Sequence, residues 1–161
     1  MVEEVVKDIP ETPLPEITIL VPTWNRTKFF KLFVMNLKCQ DYPHHLLKVI
    51  IDDDGNEKFI TNEETLADFK KYISPMEITY ITNKPRRSIG KKRDDLIKEC
   101  KTKIFCFMDD DDIYLPTYIS HTYTTMKEKK AGCAGCDKML FCMTQRNFDI
   151  HAINCGNQVK L

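Results

Sequence analysis

The stretch that most limits what this chain can fold into is Lys103-Ile104-Phe105-Cys106-Phe107-Met108-Asp109-Asp110-Asp111-Asp112. The apolar run from Ile104 to Met108 favours extended backbone and predicts a fully buried strand. Four carboxylates follow it without a break. Neighbouring anions repel by roughly 1 kcal/mol per pair at ~4 Å in water, and by more where water is partly excluded. A solvated acidic loop that binds nothing can tolerate this. A turn at the mouth of a buried strand is better satisfied by a cation, and hard divalent ions such as Mg²⁺ or Mn²⁺ prefer carboxylate oxygen. The stretch alone leaves both readings open.

The order of elements separates them. Ile17 to Val21 predicts a first strand, stopped by Pro22, with Thr23-Trp24-Asn25-Arg26 as its turn. A helix follows from about Arg26 to Gln40, with Phe30, Phe33, Val34 and Leu37 on one face. Leu46 to Ile51 predicts a second strand that runs into Asp52-Asp53-Asp54-Gly55. Thr61 and Glu64 have the spacing of a capping box, opening a helix that buries Leu66, Phe69 and Ile73 and closes at Ser74-Pro75. Glu77 to Thr82 predicts a third strand, and Asn83-Lys84-Pro85 a turn. Ser88 caps a helix reaching about Cys100, with Ile89, Leu96, Ile97 and Cys100 on one side. The acidic run ends the fourth strand. Leu115-Pro116 then starts a helix with Pro at its first position; Ile119, Tyr123 and Met126 face inward and Gly132 is its C-cap. Lys138 to Thr144 and Ile150 to Cys155 predict two further strands.

The first two-thirds therefore alternate β-α-β-α-β-α-β, the pattern of an α/β, doubly wound, mainly parallel sheet flanked by helices. Such sheets bind ligands beyond the carboxyl ends of their strands. Thr23 to Arg26, Asp52 to Gly55 and Asp109 to Asp112 all follow strands, so three polar clusters converge on one rim and favour a real site over a solvated loop. Arg86, Arg87, Lys91, Lys92 and Arg93 crowd the start of the third helix, where cations oppose the macrodipole. Splaying into water is one explanation. A bound anion, met by free backbone N–H groups and these side chains, is the other. An acidic metal turn beside a basic helix start suits a diphosphate bridged by the cation. Gly90 in that turn allows close backbone approach. The Asp52–Asp54 cluster could read a base N–H or ribose hydroxyls, or be an Asp-Gly turn and nothing more.

Composition closes off other classes. With 161 residues this is one domain by size, residues 16–161, behind a proline-bearing extended leader over residues 1–15. Lys+Arg and Asp+Glu both number 24, so no global field for nucleic acid exists. No run approaches the ~20 apolar residues of a membrane span, and no signal peptide is visible, which predicts a cytoplasmic protein with no integral membrane segment. Seven irregularly spaced cysteines, several inside apolar runs (Cys39, Cys100, Cys106, Cys142), predict buried reduced thiols. Cys133-Ala134-Gly135-Cys136 lacks a second ligand pair and is expected to be a turn of small residues.

Four motifs carry a family resemblance. Val21-Pro22-Thr23-Trp24-Asn25-Arg26 resembles the "VPTYNR" opening of family-2 glycosyltransferases of GT-A fold, and Val49 to Gly55 resembles their "VVDDGS" segment. Ile89-Gly90-Lys91-Lys92-Arg93-Asp94 is similar to their Gly-x-x-x-Arg-Asn stretch. Phe107 to Pro116 resembles their "FLDADDxxxP" block with its DxD motif. The motifs occur in order over roughly Ile17 to Met126.

The resemblance implies a GT-A fold and transfer of a sugar, with inversion, from a UDP- or GDP-type nucleotide-diphosphate donor. It also implies Mn²⁺ or Mg²⁺ as cofactor and an unidentified glycan, lipid or protein acceptor. Carried over by position, Pro22 and Thr23 line the nucleoside pocket, Asp53 accepts from the base, and Arg87 and Arg93 approach the nucleotide. Asp110 sits near the ribose, Asp111 ligates the metal, and Asp109 is the other acid of the DxD. Asn25, Arg26 and Gly90 complete the implied donor-binding set. Asp94 departs from the usual Asn, and four acids leave the DxD register open by one residue. No Asp or Glu fits the general base of inverting members; Asp149 is badly placed for it. The expectation is a donor-binding portion of something longer, or different acceptor machinery. The alternatives are a non-catalytic nucleotide-sugar-binding module and a sugar-1-phosphate nucleotidyltransferase. The latter should carry glycine after strand one, and Pro22 to Lys28 has none.

Overall fold

A computed structural model of the chain describes residues 13–82, 85–136, 138–143, 145 and 147–154. Residues 1–12 of the expected leader, Asn83 and Lys84 of the expected turn, and Thr144 and Cys155 at the expected strand ends lie outside the described residues. The elements are β1 (Ile17–Thr23), a 3-10 turn (Thr27–Phe29) running into α1 (Phe30–Lys38), a second 3-10 turn (His44–Leu46), β2 (Leu47–Asp53), α2 (Glu63–Ile73), β3 (Glu77–Ile81), α3 (Ile89–Glu99), β4 (Ile104–Phe107), α4 (Tyr118–Lys129), β5 (Lys138–Met143) and β6 (Asp149–Asn154). The chain forms two compact units that divide after Ile119.

In the first unit, β1 to β4 build one all-parallel sheet in the order β3-β2-β1-β4. The connections β1→β2→β3 travel one way across the sheet and β3→β4 travels back. Right-handed crossovers therefore put α1 and α2 on one face and α3 on the other. Leu20 and Ile50 are register partners and meet Leu96 of α3, with Ile81, Cys100 and Phe107 around them. Strand alternation turns Ile19, Val21, Val49 and Ile51 to the opposite face. Those four are buried, as are Phe33, Val34 and Leu37 of α1 and Phe69 and Ile73 of α2. The second unit holds the antiparallel β5–β6 hairpin, on which Leu140 and Ile150 are exposed.

Several expectations are corrected. β4 is not fully buried: among the described residues it is an edge strand, and Phe105 is exposed. Pro22 does not stop β1 but pairs in register with Asp52. The Leu20 carbonyl accepts from Met108 N on the β4 side, so Pro22, two residues on, presents its missing N–H beyond the end of β4 and forfeits no ladder bond. The α2 capping box is one residue later than expected. Asn62 Oδ1 accepts from Thr65 N, and Thr65 Oγ1 accepts from Asn62 N. On α3, Ile89 and Ile97 are exposed, and the buried residues are Lys92 and Leu96. Pro116 sits in a turn closed by Tyr118 N and Leu115 O, ahead of α4. The left-handed residue after α4 is Lys130 (φ 50°), not Gly132, with Ala131 N returning to Met126 O. Cys39 and Cys142 are exposed rather than buried, though all six cysteines among the described residues are free thiols.

Candidate donor-binding cleft

The chain leaves β1 towards β2 on one side and returns from β3 to β4 on the other, which makes the gap beyond the carboxyl ends of β1 and β4 the crevice of this sheet. A cleft of about 310 Å³ opens there. Pro22, Thr23, Trp24 and Arg26 line it from β1, Asp109 to Asp111 from β4, and Arg86, Arg87, Ile89, Lys92 and Arg93 from the approach to α3 and its first turns. A larger groove between α1 and α2 is mainly apolar and carries none of the sequence-predicted site residues.

The acidic turn is held from below. Asn36, buried in α1, donates to the Asp112 carbonyl (2.8 Å) and accepts from Tyr114 N (3.1 Å). One turn on, Gln40 donates to Leu115 O and accepts from Ile119 N. Asp109 N donates to the Tyr114 hydroxyl at 2.8 Å, and burial pushes that hydroxyl's pKa up to about 12. Two buried polar side chains four residues apart, one in α1 and one just past its end, thus hold the backbone that follows the carboxylates. Their spacing was readable, but only the fold shows what they grip.

The four acids separate in character. Asp110 is buried and accepts from Thr23 Oγ1, tying β4 to β1; burial, with Asp111 close by, raises its pKa. Asp109 and Asp111 are half-exposed. Arg93 Nη2 reaches both oxygens of Asp109 at 3.2 Å, and Arg26 Nη1 reaches Asp111 at 3.1 Å. Burial, with Asp111 and Asp109 adding to it, raises the pKa of Asp112.

The Asp52–Asp54 cluster is built differently from the DxD turn. Asp53 Oδ1 accepts from Gly55 N; its Oδ2 accepts from Phe59 N and the Tyr80 hydroxyl. That carboxylate faces its own loop, away from the cleft wall. Asp54 turns the other way. Lys92 Nζ binds its Oδ1 at 2.5 Å, and Arg87 N donates to its Oδ2 at 2.8 Å. Burial alone would raise the Asp54 pKa, but Lys92 and Arg87 more than offset it and leave it below the usual carboxylate range. Lys92 is 3% exposed and also donates to Thr23 O at 2.6 Å, joining the ends of β1 and β2 to α3. Arg87 binds Asp52 at 2.6 Å and Asp95 at 2.7 Å. Of the cations at the start of α3, Arg87, Lys91, Lys92 and Arg93 are thus paired with carboxylates, which offsets their conflict with the helix dipole.

Of the sequence-predicted residues, Pro22, Thr23, Arg26, Arg87, Arg93, Asp109, Asp110 and Asp111 share the cleft, while Asn25, Asp53 and Gly90 do not line it. Asn25, at φ 52°, accepts from Asn56 N and Glu57 N and so pins the β2 loop to the β1 loop. A Cβ on Gly90 would meet nothing within 4 Å. Sequence reasoning put Lys92 in the basic helix start, Asp54 in the Asp52–Asp54 cluster and Trp24 in the turn after β1, but gave none of the three an individual role; Arg86 lies 3.9 Å over the Trp24 ring.

Among the described residues no group of three or more His, Cys, Asp or Glu side chains forms a complete metal cage. Asp109 and Asp111 are two accessible carboxylates of the acidic turn, and each meets an arginine; their oxygens are of the type that hard divalent ions take together with phosphate oxygens and water.

Comparison with known proteins gives the family and the fold. Residues 18–152 match the family model described as Glycosyl transferase family 2. The processive diacylglycerol beta-glycosyltransferase of Mycoplasma genitalium is 32% identical over 98 residues, covering 61% of this chain and 28% of that protein. The chain spans about a third of the length of the curated relatives it matches. A Pyrobaculum calidifontis mannosyltransferase solved with GDP-Man and Mn²⁺ superposes with a TM-score of 0.63 at 15% identity, covering 84% of this chain and 38% of that one. S. aureus TarS 1-349 with UDP-GlcNAc gives 0.58 at 22% identity, covering 80% and 34%. These two likenesses establish a shared fold. The parallel 3-2-1-4 sheet is the GT-A arrangement, and a family match running from β1 through β6 makes the chain a member of glycosyltransferase family 2.

Proposed function

We propose that this chain binds a nucleotide-diphosphate sugar together with Mn²⁺ or Mg²⁺ and carries the donor side of glycosyl transfer, with inversion at the sugar. The observation that carries the reading is the convergence of two accessible carboxylates and several cations in one cleft at the strand ends. A diphosphate needs both. Asp109 and Asp111 would hold the ion, which when bound supplies Lewis-acid stabilisation of the departing diphosphate. Arg26, Arg87 and Arg93 face the same space; Arg26 and Arg93 would orient phosphate oxygens, and Arg87, held by Asp52 and Asp95, would add its charge from behind them. Thr23 and Asp110, locked together, form the floor on the nucleoside side. The relatives support a nucleotide-sugar donor: one neighbour holds GDP-Man with Mn²⁺ and another UDP-GlcNAc.

One observation keeps a second reading alive. Among the described residues the only acids lining the cleft are those of the Asp109–Asp111 turn, so a separate general base is not in view. A nucleotide-sugar-binding module without turnover has the same cleft. Release of nucleotide from donor, with and without acceptor, separates the two.

Binding itself is tested by thermal shift with UDP, GDP and their sugars, with and without Mn²⁺. A ligand at a hundredfold excess over Kd stabilises the folded state by about 2.7 kcal/mol, roughly 5–10 °C for a domain of this size. The expected outcome is a shift with UDP or GDP that requires Mn²⁺ and disappears in Asp111→Ala. A shift indifferent to the ion rules out the bridging arrangement.

A further inference from the structure

The cleft's cations fall into two groups that the assignment of a donor site does not explain. Arg87 and Lys92 are nearly buried and held by Asp52, Asp54 and Asp95. Arg26 and Arg93 are half-exposed, and each is paired with one of the two carboxylates suited to the divalent ion: Arg26 with Asp111, Arg93 with Asp109. They come from different elements, the β1 turn and α3, yet neutralise the same acidic turn from both sides. Arg93 has further capacity. Its Nε is buried without a hydrogen-bond partner, and its guanidinium lies 5.1 Å over the Phe107 ring.

We propose that Arg26 and Arg93 are internal counter-cations: they occupy Asp111 and Asp109 in the free protein and pass to the diphosphate when it arrives with the metal ion. The inference rests on the nucleotide-diphosphate reading of the cleft. Half-exposed ion pairs are weak, so the exchange is inexpensive; the pairs of Arg87 and Lys92 are buried and stay in place. Without the diphosphate, the ion must displace two guanidiniums that have no new partner. With it, each guanidinium gains a phosphate oxygen while the ion takes the carboxylates. Metal and nucleotide therefore strengthen each other's binding, and the coupling is reciprocal.

The test is Mn²⁺ affinity, read from the free-ion electron paramagnetic resonance signal, in the full chain with and without UDP or GDP. Arg26→Gln and Arg93→Gln are each expected to bind Mn²⁺ alone more tightly than wild type, by roughly two- to fivefold, and to lose a similar factor of the enhancement by nucleotide. Arg26→Lys and Arg93→Lys, which keep the charge, should stay near wild type. Gln variants that bind Mn²⁺ alone no more tightly, or Lys variants that gain as much as Gln, overturn the exchange. If neither UDP nor GDP binds with Mn²⁺ to wild type, the nucleotide reading falls. If they bind and the Gln variants gain nothing, only the exchange falls.

Discussion

Lys92 shows how a single side chain can decide a site. Its ammonium is buried between Asp54 and the Thr23 carbonyl, at the point where β1, β2 and α3 meet. Replacing it leaves the Asp54 carboxylate buried with Arg87 alone, and losing one partner of a buried pair costs about 3–5 kcal/mol. Lys92→Met should lower the urea midpoint at pH 7 accordingly. The pH dependence carries a sign that can be checked. The folded-state pKa of Asp54 is depressed, so its contribution is fully present above the unfolded carboxyl value and is lost as pH falls through the folded one. The deficit of Lys92→Met relative to wild type should therefore shrink below about pH 4. A deficit independent of pH would mean that packing of the lysine stem, not its charge, is what matters. The same residue marks a limit of sequence reading. Lys91, Lys92 and Arg93 are three successive cations, and nothing in their order says which one turns inward. The helical phase of Leu96 does: Lys92 lies one turn before it on the buried face.

At the scale of elements, the site is made by loops that follow strands, and two glycines in them behave oppositely. A Cβ on Gly55 would stand 2.5 Å from Asn25 N and 2.6 Å from its Oδ1. The backbone atom cannot yield without moving the β1 turn that carries Arg26. Gly55→Ala should cost roughly 1–3 kcal/mol in unfolding free energy and weaken nucleotide binding with it. Gly90 lies in the first turn of α3 with nothing near its would-be Cβ. Gly90→Ala should raise stability by roughly 0.5–1 kcal/mol, and retention of nucleotide affinity would show that no ligand needs that backbone closely. Chemical denaturation and the nucleotide thermal shift read both variants. The sequence expectation put a donor contact at Gly90 and treated Gly55 as part of an Asp-Gly turn; it is at Gly55 that a neighbouring loop already fills the space of a side chain. Close approach depends on what another loop brings, and Asn25 is thirty residues away in sequence.

At the scale of the whole molecule, the two compact units differ in how they are supported. β1 is covered on both faces and paired on both edges; among the described residues β5 and β6 pair only with each other, and β6 is exposed throughout. A two-stranded sheet is marginal in water. Amide hydrogen exchange should therefore be complete on the order of minutes across β5 and β6, while peptides from β1 and β2 remain protected far longer. Equal protection in both would mean that something besides hairpin pairing shields β5 and β6.

The alternation of apolar runs with polar strand ends, the parallel sheet and its acidic rim were determined by the sequence, because period, caps and strand-terminal clusters are local properties. The four motifs likewise placed the chain in its family. Tertiary structure decided what no local pattern contains: that β4 is an edge strand, that Asp53 closes its own loop while Asp54 meets Lys92, and that Asn36 and Gln40 hold the acidic turn. The physical reason is that a charge or an amide takes its role from the partner that burial forces on it, and Tyr80 on Asp53, Lys92 on Asp54, and the turn atoms that Asn36 and Gln40 hold are 27 to 79 residues distant.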